Sequence, residues 1–301
     1  MTGSVDEPER TVRTVRVVAV RGDHAEIRPD RIVGEEPMEI RAAGPDGRAP
    51  VSVAVTMRTP GHDAELAVGF LVTEGLILPG DVTATTFGDV ATVSQPENEI
   101  TVHLARSLDP ASVATRNFVA TASCGICGKA SLDQVAVRCD PLGAGPVVAP
   151  ATLIALPATL RAAQALFDAT GGIHAAGLFD PEGHLLLLRE DVGRHNALDK
   201  LVGAAALAGT LPLRERILLV SGRVSFEIVQ KAAMAGIPIL AAISAPTDLA
   251  VDAARRLSMT LIGFLRGDGF NVYAGEERVV VDQPDGRGPG AGRTPAGGPA
   301  L

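Results

Sequence analysis

The sequence predicts an α/β fold, a mostly parallel sheet with helices on both faces. Three observations carry this. The second half of the chain alternates short aliphatic runs with helical patterns. The hydrophobic share is 46%, with no Trp, one Tyr and eight Phe, so Val, Leu, Ile and Ala must build the core. The turn Asp180-Pro181-Glu182-Gly183 inserts one hairpin among the β-α-β units.

The elements follow in order. Residues 1–10 are polar and read as a disordered tail. Val12 to Val20, Met38 to Arg41 and Val51 to Thr56 are rich in β-branched residues and read as strands. Thr59-Pro60-Gly61 makes a turn, and Asp63 starts a helix over 63–74 with Leu66, Phe70 and Leu71 on one face. Asn98 to Leu104 alternates as a strand.

The second half opens with a helix over 158–168, aligning Leu160, Ala163 and Phe167. Strands are expected at 173–179, 184–190, 216–220, 237–243, 260–265 and 270–273. Helices are expected at 194–206, 225–235 and 247–257. Ten of the nineteen residues from Gln283 to Leu301 are Gly or Pro, which cannot build a core.

A 301-residue chain fits two modules at about 150 residues each. The boundaries expected are a smaller β-rich α+β domain at 11–140, a Pro-rich linker at 141–157, an α/β/α domain at 158–282 and a Gly/Pro tail at 283–301.

Composition excludes several functions. Twenty-seven basic and 35 acidic residues leave a net charge of −8, which suits neither a DNA-coating protein nor a polybasic membrane binder. The scarcity of aromatics argues against stacking on nucleic acid bases. The longest uncharged stretch, Pro141 to Leu160, contains four prolines, so no transmembrane helix is expected. The first ten residues carry three acids and no apolar core, unlike a secretory signal. Three cysteines, two of them close together, point to a reducing cytoplasm rather than a disulfide scaffold.

The densest chemistry is Ser123-Cys124-Gly125-Ile126-Cys127-Gly128-Lys129. Gly125 and Gly128 leave the thiols unshielded, and Lys129 and Arg116 favour thiolate. Three chemistries use such a pair. A structural zinc site needs four ligands, and only Cys139 and a histidine could complete one. Dithiol–disulfide exchange usually places the pair after the first strand of a β-α-β unit, and none precedes it. Persulfide carriage needs an exposed thiol of low pKa. The bland alternative is a pair of small buried hydrophobes. The His-x-Glu and Pro-Cys-x-x-Cys signature of zinc deaminases is not matched: Ser123 replaces the proline and the cysteines precede His174.

Strand ends carry the remaining polar signatures. Thr170-Gly171-Gly172-Ile173-His174 enters a strand, where His174 is either a buried hydrogen-bonded residue or a site residue. Glu190-Asp191-Val192-Gly193-Arg194-His195-Asn196 joins a strand to a helix N-terminus, where Arg194 and backbone N–H groups can hold an anion. Its plainer reading is a capped helix with solvated charges. Ser221-Gly222-Arg223 and Phe264-Leu265-Arg266-Gly267-Asp268-Gly269 repeat the pattern. Together they suggest a site for a large, phosphorylated ligand.

The whole set resembles the formate dehydrogenase accessory sulfurtransferase (FdhD) family. Thr59-Pro60-Gly61-His62-Asp63, Thr73-Glu74-Gly75, the Cys124–Cys127 motif, Thr170 to Ala176, Glu190 to Lys200, Ser221 through Lys231, Ser244 to Thr247 and Gly263 to Gly267 carry the likeness. The resemblance implies a cytidine-deaminase-like α/β/α domain without zinc, in a cytoplasmic homodimer. It implies sulfur accepted as a persulfide from a cysteine desulfurase and passed to the molybdenum bis-guanine-dinucleotide cofactor for formate dehydrogenase. By position, Cys124 matches the persulfide cysteine, with Cys127 as its catalytic partner. Phe264, Leu265, Arg266, Gly267, Asp268 and Gly269 match the cofactor segment, and Arg194 and Arg223 are added from their strand ends. A non-catalytic chaperone with zinc-bound or redox-cycling cysteines is the alternative. Molybdenum and tungsten are equally compatible.

Overall fold

The computed structural model describes residues 10–91, 93–109 and 139–280. Cys124 and Cys127 lie outside the described residues, as do the tails at 1–9 and 281–301.

The N-terminal half forms β1 (Val12–Arg21), β2 (His24–Val33), β3 (Glu36–Ala43), β4 (Val51–Arg58), α1 (Asp63–Thr73), β5 (Val82–Phe87) and β6 (Glu99–Leu104). The strands β1 and β2 stand as a hairpin, and the other four make a sheet ordered β4-β3-β6-β5. Sequence patterning did not reveal β2 or β5. β2 contains Pro29 and several charges and is solvated on most of its length, so no hydrophobic alternation marks it. β5 is a Thr-rich edge strand.

The C-terminal half forms α2 (Pro150–Ala163), α3 (Ala165–Thr170), β7 (His174–Phe179), β8 (Leu185–Asp191), α4 (Arg194–Leu207) and β9 (Ile217–Val220). Then come α5 (Phe226–Met234), β10 (Ile239–Ala242), α6 (Asp248–Arg256), β11 (Thr260–Arg266) and β12 (Gly269–Ala274). The six strands order as β12-β11-β10-β9-β7-β8.

Two expectations need correction. The sheet is mixed rather than mostly parallel: β9–β10 and β10–β11 are parallel, while β7–β8, β7–β9 and β11–β12 are antiparallel. The cause is the hairpin at Asp180. It reverses β8, and the return through α4 skips over β7 to reach β9, so β7 sits between two strands of opposite direction. The stretch 141–157 is also not simply a linker. Pro150 occupies the first helical turn of α2, where its missing N–H costs nothing. Leu153, Leu156 and Leu160 of that helix are fully buried.

The layers are three around the six-stranded sheet. Ile217, Leu219, Ile239, Ala241 and Ile262 face α2. Their neighbours Leu218, Val220, Leu240, Ala242 and Leu261 face the other way, toward α4, α5 and α6. That second core also includes Met38, Ile40, Leu66 and Leu71 of the N-terminal half. The two halves therefore share one hydrophobic core rather than meeting across a linker. Glycines permit this. A Cβ on Gly69 would fall 1.8 Å from the Asp199 carbonyl oxygen, and one on Gly203 1.8 Å from that of Glu65. The backbones of α1 and α4 thus touch directly. Among the described residues, no helix is long and apolar enough to cross a membrane.

Candidate functional site at the strand ends

Parallel strands bring their carboxyl ends to one edge, and backbone hydrogen bonds tie these ends into a rim. Val224 N–H donates to Ala245 O (3.2 Å), Thr247 N–H to Val224 O (2.9 Å) and Phe264 N–H to Ser244 O (3.0 Å). The start of the antiparallel β7 joins them. Ser221 N–H donates to Ala175 O, and Ala175 N–H returns a bond to Ser221 Oγ at 3.0 Å.

His174, Arg194 and Gly222 meet here. A Cβ built on the buried Gly222 would lie 3.4 Å from both His174 Nδ1 and Arg194 Cδ. Glycine keeps that space for the histidine and arginine. His174 Nδ1 is 3.4 Å from Ser221 Oγ. Burial, and then the nearby Arg194 charge, push the His174 pKa below its ordinary value. Both effects favour the neutral ring. Arg194 Nε is buried and has no hydrogen-bond acceptor among the described residues.

His195, the next residue on α4, faces α5. Its Nε2 lies 3.4 Å from Ser225 Oγ and 3.8 Å from Glu227 Oε2. Ser225 Oγ donates to Glu227 Oε2 at 2.6 Å. The hydrogen bond from His195 draws the Glu227 carboxyl down to about 2, against its burial and with help from Ser225. Ser225 and Glu227 were not singled out from sequence. The usable signal was a serine at the N-cap with an acid in the first turn, directly after Ser221-Gly222-Arg223.

The Glu190-to-Lys200 motif has a different role. Asp191 is fully buried and accepts from Thr59 N–H (3.1 Å), Gly193 N–H (2.8 Å) and Asn196 Nδ2 (3.1 Å). Lys200 Nζ lies 2.7 Å from Asp191 and donates to Thr59 O at 2.8 Å. Asn196 also donates to Met57 O. These polar residues staple the loop after β4 to the N-terminus of α4. Beside them Arg58, fully buried, holds Asp63 through two bonds of 3.0 and 2.9 Å. A groove of about 460 Å³ opens next to this staple, lined by Pro60, His62 and Leu166 among others. Its inner cations Arg189 and Lys200 are already committed to Glu65 and Asp191.

A third buried cluster lies deeper. Lys231 Nζ donates to Thr73 Oγ1, to Glu74 Oε1 and to both oxygens of Asp199, all within 3.0 Å. Burial alone would lower its pKa, but the Asp199 and Glu74 carboxylates outweigh that and hold it above the ordinary lysine value. This lysine is an interior strut between α1, α4 and α5.

The expected cofactor residues fall as follows. Arg194 lies on the rim, and Arg223 follows Gly222 there with its side chain exposed. Phe264 adopts φ 54°, and the Arg266 guanidinium sits 5.4 Å from its ring centroid. Gly267, at φ 62°, turns the chain between β11 and β12 beside exposed Asp268, and Gly269 begins β12. Leu265 is different: it is 1% exposed in the core facing α2, so its side chain is withheld from any ligand. Cys139 is half-buried against the shared core, and burial, then Asp140, raises its thiol pKa.

The model of the FdhD/NarQ family matches residues 33–280. The chain belongs to the FdhD/NarQ family. A relative from Streptomyces avermitilis, named sulfur carrier protein FdhD, is 50% identical over 279 residues, covering 90% of this chain and 97% of that one. One of the same name from Sulfurisphaera tokodaii is 42% identical, covering 89% and 99%. A crystal structure from Desulfotalea psychrophila, assigned as a formate dehydrogenase accessory protein, superposes with a TM-score of 0.69 at 23% identity. It covers 90% of this chain and all of that one, and establishes the shared fold. In this FdhD/NarQ chain the rim residues His174, Arg194, His195 and Ser221-Gly222-Arg223 all lie inside the matched span.

Proposed function

We propose that this chain is a sulfurtransferase that carries sulfur as a persulfide on Cys124. Membership of the FdhD/NarQ family across residues 33–280, with relatives named sulfur carrier protein FdhD, carries this reading. The Cys124 thiolate attacks the terminal sulfur of a donor persulfide on a cysteine desulfurase, and the donor thiolate leaves. Cys124 then holds an S–S⁻ group. Attack of the Cys127 thiolate on Cys124 Sγ expels that outer sulfur at the sulfide level and leaves a disulfide, which a cellular dithiol reduces. The acceptor is the molybdenum or tungsten bis-guanine-dinucleotide cofactor, taken up as substrate before it enters formate dehydrogenase. A reducing cytoplasm suits these thiols.

The rim fits the acceptor's chemistry. Pyrophosphate needs placed cations on a protein of net charge −8, and Arg194, Arg223 and Arg266 are available near glycines that let a backbone approach. The test is mass spectrometry after incubation with desulfurase and cysteine. Cys124 should gain about 32 mass units, one sulfur atom on its reactive thiolate. Cys124→Ala should abolish formate dehydrogenase maturation with folding intact. Full maturation in that variant would sink the reading.

A further inference from the structure

Glu227 is a carboxylate that is both held in place and reachable from the rim. It stands in the first turn of α5, its side chain 31% exposed beside His195 at 30%. Other acids nearby are closed off: Asp191 is fully buried, and Glu190 is taken up by the N–H groups of Leu166 and Phe167.

The hydrogen bonds around Glu227 fix where the protons lie. Glu227 is ionised and can only accept. The single Ser225 hydroxyl proton goes to Glu227 Oε2. Ser225 Oγ can then take only a donor from His195, so the proton of that contact sits on His195 Nε2. His195 and Ser225 both meet Oε2, and the backbone N–H of Glu227 also approaches the carboxylate. A carboxylate offers about four acceptor positions, and these three donors do not use them all.

The surroundings suit a nucleotide. Arg194 Nε is buried with no acceptor among the described residues, Gly222 keeps the space beside it clear, and the His195 charge is felt at His174. The strand leading into α5, β9, lies two strands from β11, about 10 Å away. A base at Glu227 and phosphates at Arg266 therefore occupy different parts of the rim.

We propose that Glu227 selects the base: its carboxylate accepts from the ring N–H and the exocyclic amine on the Watson–Crick edge of guanine, and His195 and Ser225 position it. The pterin ring carries the same pair of donors beside a carbonyl. Adenine presents a bare ring nitrogen in place of the N–H, and its lone pair would face the carboxylate. Hypoxanthine keeps the N–H and lacks the amine. The inference rests on the reading of the rim as the cofactor's site.

Titration calorimetry of the full chain with GDP, IDP and ADP tests it. The wild type should bind GDP at least about 10-fold more tightly than either, the worth of a hydrogen bond to a charged group. Glu227→Gln keeps the size but turns an amide toward the ligand's donors, and should cut the GDP-to-IDP ratio to about 3-fold or less. His195→Gln and Ser225→Ala should shrink the ratio by a smaller factor; a merely structural role would weaken both nucleotides alike and leave it unchanged. The wild-type series decides the matter even where a variant fails to fold. Free pterin separates the two sources of this edge: displacement of GDP by pterin, lost in Glu227→Gln, assigns both rings to the site, and no displacement assigns guanine alone. A wild type that binds GDP, IDP and ADP alike, or an unchanged ratio in folded Glu227→Gln, would overturn the proposal and leave the rim as the cofactor's site. A wild type that binds no GDP would remove the cofactor from the rim, and this proposal with it. Sulfur loading of Cys124 should be the same in every variant.

Discussion

Asp191 and Lys200 form an ion pair of 2.7 Å in which neither side chain is more than 1% exposed. Each is also bonded to the backbone of Thr59, whose N–H donates to Asp191 and whose carbonyl oxygen accepts from Lys200. The loop after β4 is thereby fixed against the strand-end rim. Residues that read from sequence as anion-binding are divided in this way: Arg194 and His195 face the rim, while Asp191, Asn196 and Lys200 hold it in place.

Lys200→Met should therefore be severely destabilising. It leaves the Asp191 carboxylate buried with only N–H donors. Breaking a buried pair by removing one partner costs about 3–5 kcal/mol. Urea denaturation should register this as a lower midpoint. Adding Asp191→Asn, which removes the stranded charge, should recover part of the loss. No recovery would show that the pair's charges are not what matters.

The crossing of α1 and α4 gives a second expectation. Gly69→Ala places a methyl 1.8 Å from the Asp199 carbonyl oxygen, a backbone atom that cannot rotate away. The helices must separate. Overpacking costs typically about 1–3 kcal/mol, and backbone against backbone belongs at or above the top of that range. Gly80→Ala, with nothing within 4 Å of its Cβ, is the control and should leave the melting temperature unmoved by comparison. Equal melting of the two variants would contradict the direct contact.

Much of this fold was legible in the sequence because burial on both faces leaves continuous aliphatic runs. Ile217–Val220, Ile239–Ala242 and Thr260–Arg266 were visible for that reason. β2 was not, because a solvated ribbon has no inside to impose a pattern. The first half of α2 was hidden by Pro150 and Pro157, and only its end fell inside the helix expected at 158–168, which breaks at Gln164. Of the site, motif spacing gave the strand ends but not their division of labour. Which charge of Glu190 to Lys200 is buried depends on the loop at Thr59, more than 130 residues away.

Acid stability should carry a signature of Glu65. Burial pushes this carboxyl up, yet Arg189 and then His62 outweigh it and hold it at about 2. A carboxyl depressed in the folded state stabilises fully above its unfolded pKa of about 4.3, and that contribution is lost as pH falls toward 2. Melting temperature should thus fall between pH 4.5 and 2. In Arg189→Gln the baseline should be lower at pH 7 and this acid-side fall shallower. Parallel curves for the two proteins would refute the assignment.

The last expectation separates two neighbours on β11. Leu265 and Arg266 are adjacent, but Leu265 is sealed in the core and Arg266 is exposed over the Phe264 ring. Leu265→Ala should lose about 2–5 kcal/mol of stability, the range for emptying a buried leucine site. Its affinity for GDP, standing in for one arm of the proposed cofactor, should follow only through the loss of folded protein. Arg266→Ala should leave the melting temperature nearly unchanged, since surface substitutions usually move stability by about 0.5 kcal/mol or less. It should weaken GDP by about 1.5–3 kcal/mol, the worth of a hydrogen bond to a charged group. Titration calorimetry on both variants at a temperature where both are folded checks the contrast. Unchanged affinity in Arg266→Ala would move the phosphate contacts to Arg194 and Arg223, where His174 and the buried Arg194 Nε border the same strand end.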